Sequence, residues 1–212
     1  MAELIRGLDP DRIRANLAAV RAELGREDVE VLAAVKYVAV EELGALVEAG
    51  LTLVGENRAQ DLVAKAGSEA GGRLTWDFIG QLQSRKVKQV LPHVRLIHSV
   101  ASDSALGQLG RHASPGTEVL VEVNVAEEEG KGGVAPAELE AFIARCPVTV
   151  SGLMTMPPAA ERPEDSRRWF AALAQLAADR GLTRLSMGTT QDFAVAAQEG
   201  ATIVRVGSRL FR

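Results

Sequence analysis

Short apolar segments alternate with longer amphipathic segments along the whole 212-residue chain. Apolar runs of this length predict buried β-strands, and the spacing of apolar residues between them predicts helices. Eight strands are predicted, at 31–36, 51–56, 75–80, 96–100, 117–125, 148–154, 184–187 and 202–207. Helices are predicted at 40–49, 57–66, 83–90, 102–112, 136–145, 163–180 and 191–199, after a first helix that runs from Asp9 or Pro10 to Leu24. Strands that are separated by helices pair in parallel.

Eight strand–helix units that close on themselves form a (β/α)₈ barrel. We therefore predict an α/β fold, a single TIM-type barrel with an extra N-terminal helix. The chain length lies near the lower end for this fold. An open doubly wound sheet is the alternative, but the G-x-G-x-x-G fingerprint that usually follows its first strand is absent. No Pro-, Gly- or Ser-rich linker divides the chain, so one domain is expected over residues 1–212.

Composition and charge exclude several classes of protein. The net charge is −4 and the basic residues are scattered, which leaves no basic stripe for nucleic acid. No apolar run has the length of a membrane span, and the charged N-terminus does not have the pattern of a signal peptide. Cys146 is the single cysteine, which fits a reducing cytoplasm. The three histidines and Cys146 lack the spacing of metal ligands.

Two loops have the character of an anion site. In a barrel, phosphate is commonly held by the loops that follow strands seven and eight. Here those loops read SMGTTQD, residues 186–192, and RVGSRLF, residues 205–211. Each places a glycine beside hydroxyl side chains at a strand end, and exposed backbone N–H groups there bind anions. The alternative is that Gly188 and Gly207 only make turns, with Thr190 and Ser208 as helix caps.

Lys36 interrupts an otherwise apolar strand at the end where barrel enzymes place their functional groups. Strand alternation predicts that Lys36 points into the barrel mouth and Tyr37 points away. A lysine that is desolvated there becomes a nucleophile towards aldehydes and forms a Schiff base. Together with a phosphate site, it indicates a phosphorylated aldehyde such as pyridoxal 5′-phosphate (PLP). The alternative is a lysine whose ammonium reaches water from the strand end.

Arg205 is a second charged residue inside an apolar strand. A guanidinium stays protonated in proteins, so it needs an acceptor. One interpretation is an ion pair with Glu56 or Asp192. The other is a hydrogen bond to the pyridine nitrogen of PLP, which would leave that nitrogen unprotonated and the ring a weak electron sink.

Seven segments carry a resemblance to a known family: AAVKYV, LVGENRAQD, WDFIGQLQSRK, LVEVNVAEEEGKGGV, SGLMTMP, LSMGTTQD and IVRVGSRLF. In this order they resemble the pyridoxal phosphate homeostasis proteins, which share the barrel of alanine racemase. The resemblance implies that Lys36 carries the cofactor and that Arg205 faces its ring nitrogen. It implies that Ser186, Gly188, Gly207 and Ser208 hold the phosphate, with Asn57 against the ring or, alternatively, as a helix N-cap.

Three departures from the family pattern affect these assignments. Val35-Lys36-Tyr37 stands where the family commonly has Ser-Lys-Thr, and Thr189-Thr190 where it often has Met-Ser. Thr190 still supplies a hydroxyl for phosphate. Arg85 stands in place of a common asparagine, and Lys131 matches a family lysine that either approaches the mouth or is an exposed loop residue.

The function that the resemblance implies is to bind PLP, to contribute to its intracellular homeostasis and to deliver it to apo-enzymes, without substantial catalysis. The first alternative is a PLP-dependent amino-acid racemase. A racemase of this fold needs a second base, usually a tyrosine that an additional domain supplies. Tyr37 is predicted to face away, His98 is expected in the core, and no additional domain is expected within the 212 residues. The second alternative is a sugar-phosphate enzyme that uses Lys36 as a Schiff-base lysine. We expect a monomer.

Overall fold

The computed structural model describes residues 4–212, and its eight strands close into one barrel. All neighbouring strands are parallel, and β8 pairs with β1 to complete the circle. The strands are β1 Glu30–Ala34, β2 Leu53–Glu56, β3 Thr75–Phe78, β4 Leu96–Val100, β5 Glu118–Glu122, β6 Thr149–Met154, β7 Arg184–Thr189 and β8 Ile203–Val206. The predicted (β/α)₈ barrel is confirmed.

The helices lie outside the strands, as the alternating pattern requires. They are α1 Pro10–Leu24, α2 Leu43–Glu48, α3 Ala59–Ala66, α4 Val87–Val90, α5 Asp103–His112, α6 Leu139–Ala144, α7 Arg167–Ala178, α8 Phe193–Gln198 and α9 Ser208–Phe211. Several are shorter than predicted because a 3₁₀ turn forms their first residues, as at Val40–Glu42 before α2 and Pro163–Ser166 before α7. Helix α9 was not predicted.

Helix α1 shows how local sequence sets an element boundary. Asp9 accepts a hydrogen bond from the backbone N–H of Asp11, and Pro10 occupies the first turn, where no intrahelical N–H bond is needed. Gly25 ends the helix in the left-handed conformation, at φ 64°. Ile13, Leu17 and Val20 face inward, so α1 covers the barrel through one apolar face.

The core has two layers. The larger one lies between the helices and the outer faces of the strands. The smaller one fills the barrel interior with Leu32, Leu53, Leu96, Leu120, Met154 and Ile203. Polar side chains share that interior, since Asp77, His98, Ser186 and Arg205 are all buried there. The apolar filling therefore surrounds a set of buried polar groups.

Strand β1 ends earlier than predicted, and this changes the position of Lys36. The backbone N–H of Val38 donates to the carbonyl of Val35 at 3.0 Å, which closes a turn over residues 35–38. Ile5 pairs with Val38 in an isolated parallel bridge. Lys36 and Tyr37 therefore lie in a tight turn beyond the strand, where strand alternation no longer applies.

No helix within residues 4–212 combines the length and the apolar character that a membrane crossing requires. The same residues contain no group of three or more His, Cys, Asp or Glu side chains placed to hold a metal ion.

Candidate functional site

A cavity of about 950 Å³ opens at the carboxyl ends of the strands. Of the nine predicted site residues, seven line this cavity: Lys36, Asn57, Thr189, Thr190, Arg205, Gly207 and Ser208. They come from β1, β2, β7 and β8 or from the loops that follow these strands. Residues far apart in the sequence therefore meet at the end of the barrel where the fold concentrates function.

Lys36 lies at this cavity, but it is exposed rather than desolvated. Its Nζ lies 4.7 Å from the centroid of the Tyr37 ring, and Tyr37 lines the same cavity. The prediction that the two side chains point in opposite directions was wrong, because β1 ends at Ala34 and both residues lie in the turn. The amine is thus beside the cavity and in contact with an aromatic face.

A buried ion pair holds the backbone next to Lys36. Lys65 Nζ donates to Glu56 Oε1 at 2.6 Å and to the carbonyl of Val35 at 2.7 Å. The other oxygen of Glu56 accepts from the backbone N–H groups of Asn57 and Arg58. The side chains of Lys65 and Glu56 are 7% and 0% exposed. One ion pair therefore joins the residue before Lys36 to the loop that carries Asn57.

Asn57 presents an unpaired polar atom at the cavity. Its Oδ1 is buried and has no hydrogen-bond partner among residues 4–212. Helix α3 begins at Ala59 with Arg58 as its N-cap, and Arg58 makes no side-chain cap bond. Asn57 is therefore not the N-cap of α3. A buried amide without a partner is costly, and a ligand in the cavity can supply one.

Arg205 is positioned by neutral groups, which are three oxygens and the Met156 sulfur at 2.9 Å from Nη2. Its Nη1 donates to the carbonyl and the hydroxyl of Ser186 at 2.9 and 2.6 Å, and its Nη2 donates to the carbonyl of Thr155 at 2.8 Å. The alternative of an ion pair with Glu56 or Asp192 is not observed. Glu56 forms its ion pair with Lys65, and Asp192 accepts a hydrogen bond from the backbone N–H of Thr189. Burial lowers the pKa of Arg205 to about 10, so the guanidinium remains charged at neutral pH.

Ser186 supports Arg205 and does not line the cavity. Its hydroxyl is completely buried and lies 2.8 Å from His98 Nδ1. The opposite ring nitrogen of His98 lies 3.1 Å from Asp77, which also accepts two bonds from Arg95. Strand alternation turns the Ser186 side chain into the barrel interior beside Arg205, so a contact of this hydroxyl with phosphate stays a prediction without support from the cavity lining.

His98 is neutral in this chain of hydrogen bonds. Burial lowers its pKa, and the nearby guanidinium groups add to the effect against the opposing pull of Asp77. The pKa of Asp77 would be raised by burial, but hydrogen bonds from His98 and Arg95 lower it. A consistent set of donors follows: Arg205 donates to Ser186, Ser186 donates to His98 Nδ1, and His98 Nε2–H donates to Asp77.

The two predicted anion loops differ in what their glycines do. Gly188 has φ 87°, and a Cβ there would lie 2.5 Å from the Cβ of Ala196, so it allows β7 to pack against α8. Gly188 is not among the residues that line the cavity, so its contact with the phosphate stays a prediction. Gly207 does line it, and a Cβ there would meet nothing closer than 3.7 Å. The Gly207 N–H donates to Thr190 Oγ1 at 3.0 Å, and Ser208 follows with an exposed side chain.

Glu122 is a cavity residue that the sequence interpretation missed. It lies at the end of β5, and burial raises its pKa against the opposing effects of Arg205 and Lys131. The signal was available, because Glu122 is a charged residue inside an apolar strand, as Lys36 and Arg205 are. Lys131 instead pairs with Glu128, and neither Lys131 nor the exposed Arg85 lines the cavity.

Comparisons with known proteins agree with this geometry. The sequence model of the family described as alanine racemase, N-terminal domain, matches residues 8–212. The pyridoxal phosphate homeostasis protein of Aquifex aeolicus is 40% identical over 211 residues, covering 93% of this chain and 92% of that protein. The Escherichia coli protein of the same name is 32% identical, covering 100% of this chain and 97% of that protein. The chain belongs to the pyridoxal phosphate homeostasis protein family.

Solved structures of this family share the barrel. PipY of Synechococcus elongatus has been solved without and with PLP bound. The two structures superpose on this chain with TM-scores of 0.86 and 0.81 at 31% identity, covering 94% of this chain and all of PipY. Alanine racemase of Clostridium difficile superposes with a TM-score of 0.73 at 14% identity, which shows the fold alone. The resemblance noted in the sequence is confirmed.

Proposed function

We propose that this protein binds PLP at the barrel cavity through Lys36, and that it holds and delivers the cofactor without substantial catalysis. The observation that carries the proposal is that Lys36, Arg205 and the two hydroxyl-bearing loops surround one cavity. The membership of the family and the PLP-bound structure of PipY support the choice of ligand.

The residues present fit the chemical groups of PLP. Asn57 lines the cavity, and its buried Oδ1 lacks a hydrogen-bond partner among residues 4–212. Gly207 lines the cavity beside the hydroxyls of Thr190 and Ser208, and this group of polar atoms is suited to a phosphate. Thr189 is a weaker candidate for that role, because its N–H and hydroxyl both donate to Asp192. Arg205 and Arg212 are further charged donors at the cavity wall, and Arg205 is the buried one.

When bound, PLP supplies an aldehyde that forms a reversible Schiff base with a primary amine. Lys36 is the amine at this cavity. Arg205 is held in place by Ser186 and Thr155 and stays charged, so it could act only as a donor towards a ring nitrogen placed beside it. A ring nitrogen that accepts such a bond would carry no proton of its own. The cofactor bound in this way would stabilise carbanions poorly, which favours storage over catalysis.

The positions of the acid–base residues determine how the racemase alternative is tested. Racemisation requires two bases on opposite faces of the substrate. Tyr37 lines the cavity, but it shares a turn with Lys36 and contacts its amine, so it lies on the same side. Glu122 lies across the barrel on β5 and lines the same cavity, so it is the carboxylate placed to act from the opposite side. Racemase activity is therefore tested directly, by incubating the PLP-loaded protein with L-alanine or L-serine and measuring the D-isomer. Conversion at ordinary enzyme rates would refute the storage function.

Binding is tested by spectroscopy and mass mapping. The protein reconstituted with PLP should show the visible absorbance band of a Schiff base, and borohydride reduction should fix the cofactor on the peptide that contains Lys36. Lys36→Ala should lose this band. A colourless wild-type protein, or an adduct mapped to another residue, would contradict the proposal. Delivery is tested by mixing the loaded protein with an apo PLP enzyme and following the restored activity.

A further inference from the structure

A hydrogen-bond network crosses the barrel interior and ends at the cavity. Asp77 and His98 belong to β3 and β4, and Ser186 and Arg205 belong to β7 and β8 on the opposite side of the closed barrel. His98 joins the two sides, because its Nε2 lies 3.1 Å from Asp77 Oδ2 and its Nδ1 lies 2.8 Å from Ser186 Oγ. The His98 side chain is completely buried, so these two contacts account for both of its ring nitrogens.

The network determines which nitrogen of His98 carries the proton. Arg205 has no acceptor atom, so Ser186 Oγ accepts from Nη1 at 2.6 Å and has its own hydrogen left to donate. His98 Nδ1 is the acceptor within reach of that hydrogen. The Asp77 carboxylate already accepts two hydrogen bonds from Arg95, and it accepts a third from the Nε2–H of His98. The opposite tautomer would set a ring lone pair against this carboxylate and leave the Ser186 hydrogen without an acceptor.

The same network fixes the direction of the Arg205 guanidinium. Nη1 donates to the carbonyl and the hydroxyl of Ser186, and Nη2 donates to the Thr155 carbonyl and to the Met156 sulfur. Within the described part of the chain Nε makes no hydrogen bond, so it is the donor left for a ligand in the cavity that Arg205 lines. The Ser186 side chain can rotate, and its bond to His98 holds it in the orientation that faces Arg205.

We propose that His98 is a positioning residue for Arg205, and that its Nδ1 acts through the Ser186 hydroxyl to keep the guanidinium in place at the cavity wall. A donor that is already ordered loses less conformational freedom when a ligand binds, which raises affinity. His98 therefore contributes to PLP binding without touching the cofactor. This inference rests on the proposed function, in which Arg205 donates to the ring nitrogen.

Two substitutions separate the two contacts of His98. An asparagine places its amide near the position of Nδ1 and can accept from Ser186, whereas a glutamine places its amide near the position of Nε2 and can donate to Asp77. Each variant loses one contact, so both should unfold at lower urea concentrations than the wild type. His98→Gln should bind PLP about 3- to 10-fold more weakly, the effect of one hydrogen bond, and His98→Asn should stay within about 2-fold of the wild type. Equal affinities in the two variants, or weaker binding by His98→Asn, would overturn the proposal.

A second experiment shows whether the effect passes through Arg205. The wild type and His98→Gln are titrated with PLP and with the analogue in which a carbon atom replaces the pyridine nitrogen. Binding of both ligands is measured as the adduct at Lys36 that borohydride fixes. The loss in His98→Gln should be about 3- to 10-fold for PLP and less than about 2-fold for the analogue, which offers Arg205 no acceptor. The same loss for both ligands would overturn the proposal, because His98 would then act only on the packing of the barrel.

A third measurement uses the cofactor-free wild type and requires no variant to fold. Nitrogen NMR of His98 at neutral pH should show an unprotonated Nδ1 and a protonated Nε2. The opposite tautomer, or a doubly protonated ring, would overturn the proposal. The proposed function fails separately, if the wild type forms no reducible adduct at Lys36. The tautomer of His98 then still decides whether the imidazole accepts from Ser186.

Discussion

Replacement of Lys65 by methionine tests the buried ion pair that supports the site. The side chains of Lys65 and Glu56 are 7% and 0% exposed, and Lys65 Nζ lies 2.6 Å from Glu56 and 2.7 Å from the Val35 carbonyl. Methionine has a similar length but carries no charge and no donor. Lys65→Met therefore leaves the Glu56 carboxylate buried without its cation and removes one of the two donors to Val35.

The expected loss follows from this geometry. Removing one partner of a buried ion pair costs about 3–5 kcal/mol. Glu56 keeps two backbone donors, Asn57 and Arg58, which places the loss near the lower end, at about 3 kcal/mol. For a chain of this size that corresponds to a fall in Tm of about 6–12 °C. Lys88→Met makes the same change on an exposed lysine and should cost less than about 0.5 kcal/mol.

The assay is urea unfolding of the cofactor-free protein, followed by the fluorescence of the buried Trp76. The double variant Lys65→Met, Glu56→Gln removes the unpaired charge and should recover about 1 kcal/mol or more of the loss. A Lys65→Met variant as stable as Lys88→Met would show that the ion pair does not hold the turn. A double variant less stable than Lys65→Met would show that the loss does not come from an uncompensated Glu56.

Three further predictions concern residues around the cavity. Ser186→Ala removes the hydroxyl that lies between Arg205 and His98. The variant should lose about 1–3 kcal/mol of unfolding free energy in urea and should bind PLP more weakly in an absorbance titration. Full PLP affinity would refute the supporting role of Ser186. Gly188→Ala should destabilise the fold by about 1–3 kcal/mol, because Gly188 has a positive φ and lies close to α8. Gly207→Ala should leave Tm nearly unchanged and weaken PLP binding. A larger loss of stability in Gly207→Ala than in Gly188→Ala would contradict these roles. The pKa of Glu122 is raised in the native state from its usual value of 4.5, so between that pH and the native pKa the native state binds more protons than the unfolded state. The free energy of unfolding therefore falls as the pH rises through this window. Glu122→Gln should flatten that part of the stability–pH curve, and an unchanged slope would exclude Glu122 as its source.

The barrel could be predicted from the sequence because its signals are local and repeated. Eight apolar runs alternate with amphipathic ones, and α1 begins at a capping Asp9 and ends before Gly25. The end of β1 could not be predicted in the same way. It depends on a turn that is fixed by Ile5 and Lys65, residues distant in the sequence, while the run of apolar residues continues to Val35.

The candidate site was predictable in part. Charged residues inside apolar strands located Lys36 and Arg205 at the cavity, and the same criterion would have located Glu122. Glycines and hydroxyl residues in the loops gave a weaker signal, because their type does not show which way they face. Ser186 faces the barrel interior and Gly188 faces helix α8. These directions depend on how β7 is aligned with its neighbours in the closed barrel, which the sequence of the loop does not show.

The hydrogen bonds of Arg205 restrict how this barrel can diversify. Its Nη groups donate to the carbonyl oxygens of Ser186 and Thr155, and the Ser186 hydroxyl donates a hydrogen bond to the neutral His98. An aspartate or glutamate at position 205, which would stabilise a protonated pyridine nitrogen and strengthen the ring as an electron sink, would set a carboxylate against those carbonyls. A switch to carbanion chemistry therefore requires coordinated changes on several strands.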